Sequence, residues 1–221
     1  MFQIQSSLKD KHCSLGILIM TDINSPDHHE SLDSLKQDLE KEITEKYQTV
    51  SRKELKELYP MHVYVSYYKA FGYTYHVLPQ LESIAHGKKI PRVIPTVEAM
   101  FMAEVKNMLL TAGHDLEQIR LPLELKTART EETYTGISGR SAAAVPGDFL
   151  IRDSESILSS ILKGPDQRTC ITPQTRQALF TIYAPEGIRQ DTILNHLNDI
   201  ESYIHVFSPN ASASMKKVLE F

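Results

Sequence analysis

The 221-residue sequence contains no uninterrupted apolar run of membrane-spanning length, so no transmembrane helix and no membrane association are expected. Its opening residues, MFQIQSSLKDKHC, lack the basic-then-apolar signature of a secretion signal, which makes a cytoplasmic protein the expectation. Cysteine is scarce. Cys13 and Cys170 lie far apart without a CxxC partner, which speaks against both a zinc site and a disulfide framework, and each reads as a small buried hydrophobe. The paired His28-His29 is followed by no further ligand at suitable spacing, so neither a metal nor a cofactor is expected. A basic excess is also missing, the formal net charge being -4. Proteins that grip many phosphates gain affinity through counterion release at a basic surface, and the aggregate charge gives no such surface. Local basic clusters stand at Lys88, Lys89 and Arg92 and at Arg168 and Arg176; the Gly87-Lys88-Lys89 cluster reads as a solvated turn. There is no internal repeat, no low-complexity tract and no ATP-binding motif.

What is present is ordinary soluble globular composition, 41% hydrophobic and 24% charged. The length allows one substantial core or two small domains, and a single domain over residues 1–221 is the reading adopted. The organising segment is IPRVIPTVEAMFMAEVKNMLLTAGHD, residues 90–115. Pro91 and Pro95 predict an extended lead-in, Thr96 a cap, and residues 97–112 a helix closed by Gly113. Val97, Phe101, Val105, Met108 and Ala112 fall on one arc and further apolar residues cover much of the rest, so the helix is expected to be buried. Glu104 lies in or beside the apolar arc, and Asn107, three residues on, is placed to face the same space. A carboxylate there must be paired, protonated or open to a cavity. The two expectations are a satisfied structural polar pair and a pocket lined by Glu104.

Elsewhere, Phe2 and Ile4 alternate with polar neighbours, and Leu15-Gly16-Ile17-Leu18-Ile19-Met20 predicts a buried strand. Helices are expected over 31–47, 51–59, 79–85 and from Asp191 onward, the last with Ile193, Leu197, Ile200 and Ile204 on one stripe. The tyrosine-rich block 63–72 reads mainly as core with wet hydroxyl tips. Strands are expected at 119–127 and 178–183, and a hairpin joins 149–152 to 157–162 through Asp153-Ser154-Glu155-Ser156 after the Val145-Pro146-Gly147-Asp148 turn.

Several ordered elements together resemble a known family, the B3/B4 domain of the bacterial phenylalanyl-tRNA synthetase β subunit and its free-standing relatives. They are Tyr68-Lys69-Ala70-Phe71-Gly72, Leu81-Glu82-Ser83-Ile84 with Gly87-Lys88-Lys89-Ile90-Pro91, and the segment ending Gly113-His114-Asp115. Further on come Leu125-Lys126-Thr127-Ala128, Pro146-Gly147-Asp148, the Asp153 hairpin, and Arg168 ahead of Thr175-Arg176. The resemblance covers roughly residues 64–185, with the N-terminal strand and helix and the C-terminal helix as additions. It implies an α+β domain of β-sheets layered against helices. In the synthetase that domain carries the editing site for tyrosine misattached to phenylalanine tRNA, and such a site needs positioning and charge stabilisation rather than a nucleophilic side chain. No room remains for an aminoacylation core, so a ligase is not expected.

The candidate site residues come from position. Glu104 or His114 would place a water, His114 having the alternative of a dipole-favoured residue at a helix C-terminus. Arg140 or Arg168 would hold the terminal phosphate or the carboxyl oxygen, and Tyr68 or Phe71 would stack on the terminal adenine. Asn107, Asp115, Gly139 and Asp166 complete the substrate-binding candidates. Three functions follow: hydrolysis of mischarged aminoacyl-tRNA in trans, non-catalytic binding of tRNA or an amino-acid-like small molecule, and a purely structural domain. The oligomeric state is left open.

Overall fold

The run Leu15–Met20 does form a strand, and its burial on both faces explains why it is apolar without alternation. In the computed structural model, which describes residues 4–8, 13–130 and 132–221, it belongs to β2 (Cys13–Thr21), preceded by β1 (Ile4–Ser6). Helices α1 (Glu30–Tyr47), α2 (Arg52–Glu57), α3 (Met61–Ala70), α4 (Val77–Ala85) and α5 (Pro95–Asn107) follow. Next come strands β3 (Thr111–Asp115), β4 (Leu123–Thr127), β5 (Thr133–Thr135), β6 (Ser141–Ala143), β7 (Phe149–Arg152), β8 (Ile157–Ser160), β9 (Gly164–Pro165) and β10 (Ala178–Pro185). Helix α6 (Gln190–Phe207) and strand β11 (Ser212–Glu220) complete the order. Phe2 and Glu131 lie outside the described residues.

The architecture is α+β with sheets packed against helices, as expected. Among the described residues, one antiparallel sheet has the order β11-β2-β10-β3, a second the order β1-β4-β7-β8-β9, and β5 pairs with β6 as a small hairpin. β1 runs parallel to β4 with Ile4 opposite Leu123. β2 is central: Leu18 faces Phe180 of β10 on one side and Lys216 of β11 on the other. Strands β2 and β11, from opposite ends of the chain, supply half of the first sheet. One hydrophobic cluster runs from Cys13 to Ala211.

α6 lays Ile193, Leu197, Ile200 and Ile204, all fully buried, against this sheet and α5. Gly16 permits the approach, because a Cβ there would stand 2.4 Å from Ile193 Cγ2. Ion pairs clamp the other side of α5: the buried Lys36 ammonium lies 2.6 Å from Glu98 and 2.8 Å from Asp33. The tyrosine-rich block is helix α3, and Tyr64 and Tyr68 are core, with Tyr64 stacked on Tyr75 at 4.6 Å between ring centroids.

The central helix is shorter than its sequence suggests. It begins at Pro95, whose missing amide and fixed φ suit the first helical position, so Thr96 is not its cap. It ends at Asn107, followed by Met108 in the left-handed conformation at φ 56°. Residues 111–115, expected as helix and cap, are strand β3 because the edge of β10 pairs with them, Gly113 opposite Phe180. Gly113 is required for close packing instead: a Cβ would lie 2.8 Å from Ile171 Cδ1 and 3.0 Å from Met100 Sδ. The expected strand at 119–127 starts only at Leu123, after a 3₁₀ turn at Leu116–Gln118. The hairpin of β7 and β8 matches expectation, its turn held by Asp153 Oδ1 accepting the Glu155 and Ser156 amides at 2.9 Å.

Candidate functional site

The early end of α5 opens a cavity of about 190 Å³ between that helix and the two larger sheets. α5 contributes Val97, Met100 and Glu104, β3 contributes Thr111 and Gly113, and Ser160, Pro165, Ile171 and Tyr183 come from the facing strands and loops. His76, just ahead of α4, and Ile137, from the β5–β6 hairpin, stand at its rim and are exposed. The walls are mainly apolar. One carboxylate faces this space.

Glu104 is buried at 6% exposure. Its Oε2 accepts the Thr111 amide at 2.9 Å, which holds the first residue of β3 against the helix end. Oε1 lies 3.6 Å from His76 Nε2, beyond hydrogen-bond length, and keeps capacity to accept from a group in the cavity. The His76 ring is placed by Tyr68, whose hydroxyl is 3.5 Å from Nδ1 while donating to the Ile161 carbonyl at 2.5 Å. Tyr68 is thus a buried support for the rim, with no face open to a base.

Asn107 does not share the cavity with Glu104. It turns to α6, where Nδ2 donates to Asp199 Oδ2 at 2.8 Å and to His196 Nδ1 at 3.2 Å. His196 Nε2 shares a hydrogen bond with the Thr111 hydroxyl at 2.7 Å, and that hydroxyl lies 3.3 Å from the Leu109 carbonyl, to which it donates. Full burial pushes the His196 pKa down to about 3, against the Asp199 charge and a hydrogen bond to the Ala103 backbone, so the ring is neutral. The chain Asn107, His196, Thr111 reaches Glu104 through the Thr111 amide and fixes the back of the cavity.

His114 sits in β3, not at a helix C-terminus, and is fully buried. Its ring nitrogens meet Thr169 Oγ1 at 2.8 Å and Ser159 Oγ at 3.2 Å, and burial, reinforced by the Arg168 charge, lowers its pKa to about 4. It does not line the cavity. Asp166 accepts both the amide and the hydroxyl of Thr169, and burial pushes its carboxyl pKa up. Arg168 is held by Asp153 at 2.7 Å and the Gln118 carbonyl at 2.6 Å, and Asp115 accepts the Thr175 hydroxyl at 2.7 Å. These four residues form a polar cluster that braces β3, separate from the cavity wall. Gly139 and Arg140 are exposed at the β5–β6 turn, where Gly139 adopts φ 77°. Phe71 lines a different, open groove with Tyr67 and Phe149.

Of the sequence candidates, Glu104 alone lines the cavity; His76, Thr111, Met100 and Tyr183 were missed. Nothing marks His76 in the sequence, since its place depends on the α3–α4 turn. Two of the basic residues are tied down as well: Lys89 lies 2.8 Å from Glu40 and Arg92 2.5 Å from Asp33. Among the described residues no group of three or more His, Cys, Asp and Glu is placed to hold a metal, and no helix is long and apolar enough to cross a membrane.

Fold and site together define an α+β domain with one small, acid-bearing apolar cavity. No protein-family model and no curated protein matches the sequence. Among solved structures, the chain is similar to an N-terminal fragment of the phenylalanyl-tRNA synthetase β subunit from Pyrococcus horikoshii, at 12% identity and a TM-score of 0.47. The match covers 99% of this chain and 52% of that one, so the chain spans about half the fragment's length. This is a distant likeness of fold.

Proposed function

We propose that the cavity beside α5 binds a small amino-acid-like molecule, its ammonium on Glu104 and its apolar side group against Val97, Met100 and Ile171. The observation that carries this reading is the Glu104 carboxylate. It is buried among apolar groups, spends one oxygen on the Thr111 amide, and leaves the other facing the cavity 3.6 Å from a rim imidazole. A buried carboxylate is costly to maintain unless it is paired, and a cationic ligand would add a close partner to the Thr111 amide and the more distant His76 imidazole. The size suits a single amino acid rather than a larger ligand, being below the usual range of about 300–1,000 Å³ for drug-sized sites. Thermal unfolding in a panel of free amino acids and their N-acetyl forms tests this. Stabilisation by apolar amino acids that N-acetylation abolishes is expected, and equal effects from both forms would refute the ammonium contact.

A second reading is favoured by His76. An exposed imidazole at the rim beside Glu104 is the arrangement that would orient a water toward an aminoacyl ester, and no nucleophilic side chain is needed for such hydrolysis. The family that the sequence resembles implies such chemistry only as an expectation, and here His76, rather than His114, would stand beside the ester. The -4 net charge and the pairing of Lys89, Arg92 and Arg168 weigh against tight phosphate binding, so a tRNA partner would have to be held with a shallow salt dependence. Release of amino acid from charged tRNAs above the spontaneous rate, lost in His76→Ala, is the outcome this reading predicts. No release from any member of a panel that includes tyrosine on phenylalanine tRNA would exclude it.

A further inference from the structure

The first sheet ends at β11, and among the described residues no other strand pairs with the outer edge of that strand. Its register shows which backbone groups are free. Phe221 and Cys13 exchange both backbone hydrogen bonds, at 3.1 and 3.2 Å, and no bulge interrupts the ladder from Met215 to Glu220. Alternation therefore turns the amides and carbonyls of Met215, Lys217 and Leu219 toward β2, and those of Lys216, Val218 and Glu220 outward. A row of outward donors and acceptors without a proline is a template for a further strand. One stripe of α6 faces the same edge. Gln190 Nε2 donates to Glu220 Oε1 at 2.6 Å, and at the other end Lys216 Nζ donates to Asn198 Oδ1 at 2.7 Å and to Glu201. Leu194 lies between these contacts at helical spacing, level with Val218, and is 38% exposed. Along its length the edge presents a cation, an apolar centre and an anion.

We propose that this edge pairs with the same edge of a second copy of the chain, antiparallel about a twofold axis through Val218, so that the two four-stranded sheets become one. The pattern of the edge is its own complement about that axis. Lys216 falls opposite Glu220 of the partner subunit at both ends, while Val218 and Leu194 meet their mates in the middle. The hydrogen-bonding phase agrees, because outward-turned residues meet outward-turned residues and form about six N–H···O bonds. Sliding the strands by two residues breaks both Lys216–Glu220 pairings, and a slip of one sets outward groups against inward ones. Helix α6 packs on β2 and β11 alike, so its axis lies about two strand spacings, or about 10 Å, from its mate, which is a helix-packing distance. Lysine on an edge strand ordinarily discourages pairing, but here Lys216 is turned onto α6 and gains a second carboxylate.

Sedimentation velocity of the full chain, from about 1 to about 300 μM, tests the assignment. Monomer should convert to dimer with a Kd on the order of 10 μM, in keeping with an interface at the small end of the size range. Leu194→Lys brings two ammonium groups to the axis. Val218→Pro removes an outward donor and spares the ladder to β2, whose bonds come from the neighbouring residues. Each should weaken the dimer by about tenfold or more while the monomer unfolds as the parent does. Hydrogen exchange reads the register itself: the amides of Lys216, Val218 and Glu220 should be protected only at dimer concentrations, and those of Lys217 and Leu219 at every concentration. A chain that stays monomeric throughout the range overturns the proposal. So does a dimer that Leu194→Lys leaves intact, or protection at Lys216, Val218 and Glu220 that does not change with concentration.

Discussion

Replacing Glu104 with glutamine separates a binding carboxylate from a structural one. Glutamine keeps the shape and keeps an oxygen to accept the Thr111 amide, now bonded at 2.9 Å, so the junction of α5 and β3 survives. What disappears is the charge facing the cavity. Hydrogen bonds to charged groups contribute about 1.5–3 kcal/mol and neutral ones about 0.5–1.5, so an ammonium ligand should lose about 1–2 kcal/mol. That corresponds to a Kd weaker by about 5- to 30-fold. Folding should change by less than about 1 kcal/mol, or under about 4 °C in Tm for a chain of this size. Glu104→Leu provides the contrast: it leaves the Thr111 amide buried without an acceptor, which costs about 1–3 kcal/mol. Calorimetric titration of each variant with the best-stabilising amino acid, beside its unfolding curve, reads both quantities. A glutamine variant that binds as the parent does, or that loses as much stability as the leucine variant, would refute the ligand role of Glu104.

Other outcomes follow from the same packing and burial. Gly16→Ala places a methyl 2.4 Å from Ile193 Cγ2 and 3.1 Å from Ile182 Cβ, and should destabilise by about 1–3 kcal/mol in urea unfolding, where a neutral result would contradict the close packing of α6 on β2. Burial raises the Asp148 carboxyl from 3.8 to about 6, although Tyr67 and the Leu162 amide donate to it. Because the folded state holds that proton more tightly, its contribution is full below about pH 4 and is lost as pH rises through 6, at up to about 1.4 kcal/mol per pH unit. Asp148→Asn should remove this slope between pH 4 and 6, and an unchanged slope would contradict it. His114 and His196 act in the opposite sense, lowered to about 4 and about 3 from 6.5. Their stabilisation is present above pH 6.5 and lost as pH falls through those values, so in the Asp148→Asn background unfolding midpoints should drop steadily below pH 6.5. A flat profile there would show that the rings are not buried neutral.

How far the sequence could be read depended on whether an element's pattern was self-contained. The apolar run of β2, the stripe of α6 and the Asp153 turn declare themselves locally, and all form where their patterns indicate. Residues 108–115 do not. Their spacing suits a helix, and only pairing with β10, distant in sequence, converts them into β3 and gives Gly113 a packing role. β11 escaped for a related reason: its alternation of partly buried and exposed residues makes sense only against β2. In the site, Glu104 was legible because a charge on an apolar helix demands an explanation. His76 was not, since a histidine before a short helix is unremarkable until the fold sets it 3.6 Å from that carboxylate. Asn107 shows the limit of helical spacing: three residues from Glu104, it is drawn to α6 by His196 and Asp199.

The account rests on a ligand held at Glu104, and the measurement that meets this directly is an amide-resolved titration of the intact chain with the amino acid that stabilises it most. Saturable shifts centred on Thr111, Gly113 and the C-terminal turn of α5, absent with the N-acetylated compound, are the predicted result. Shifts elsewhere, or the same shifts from the N-acetylated form, would contradict it.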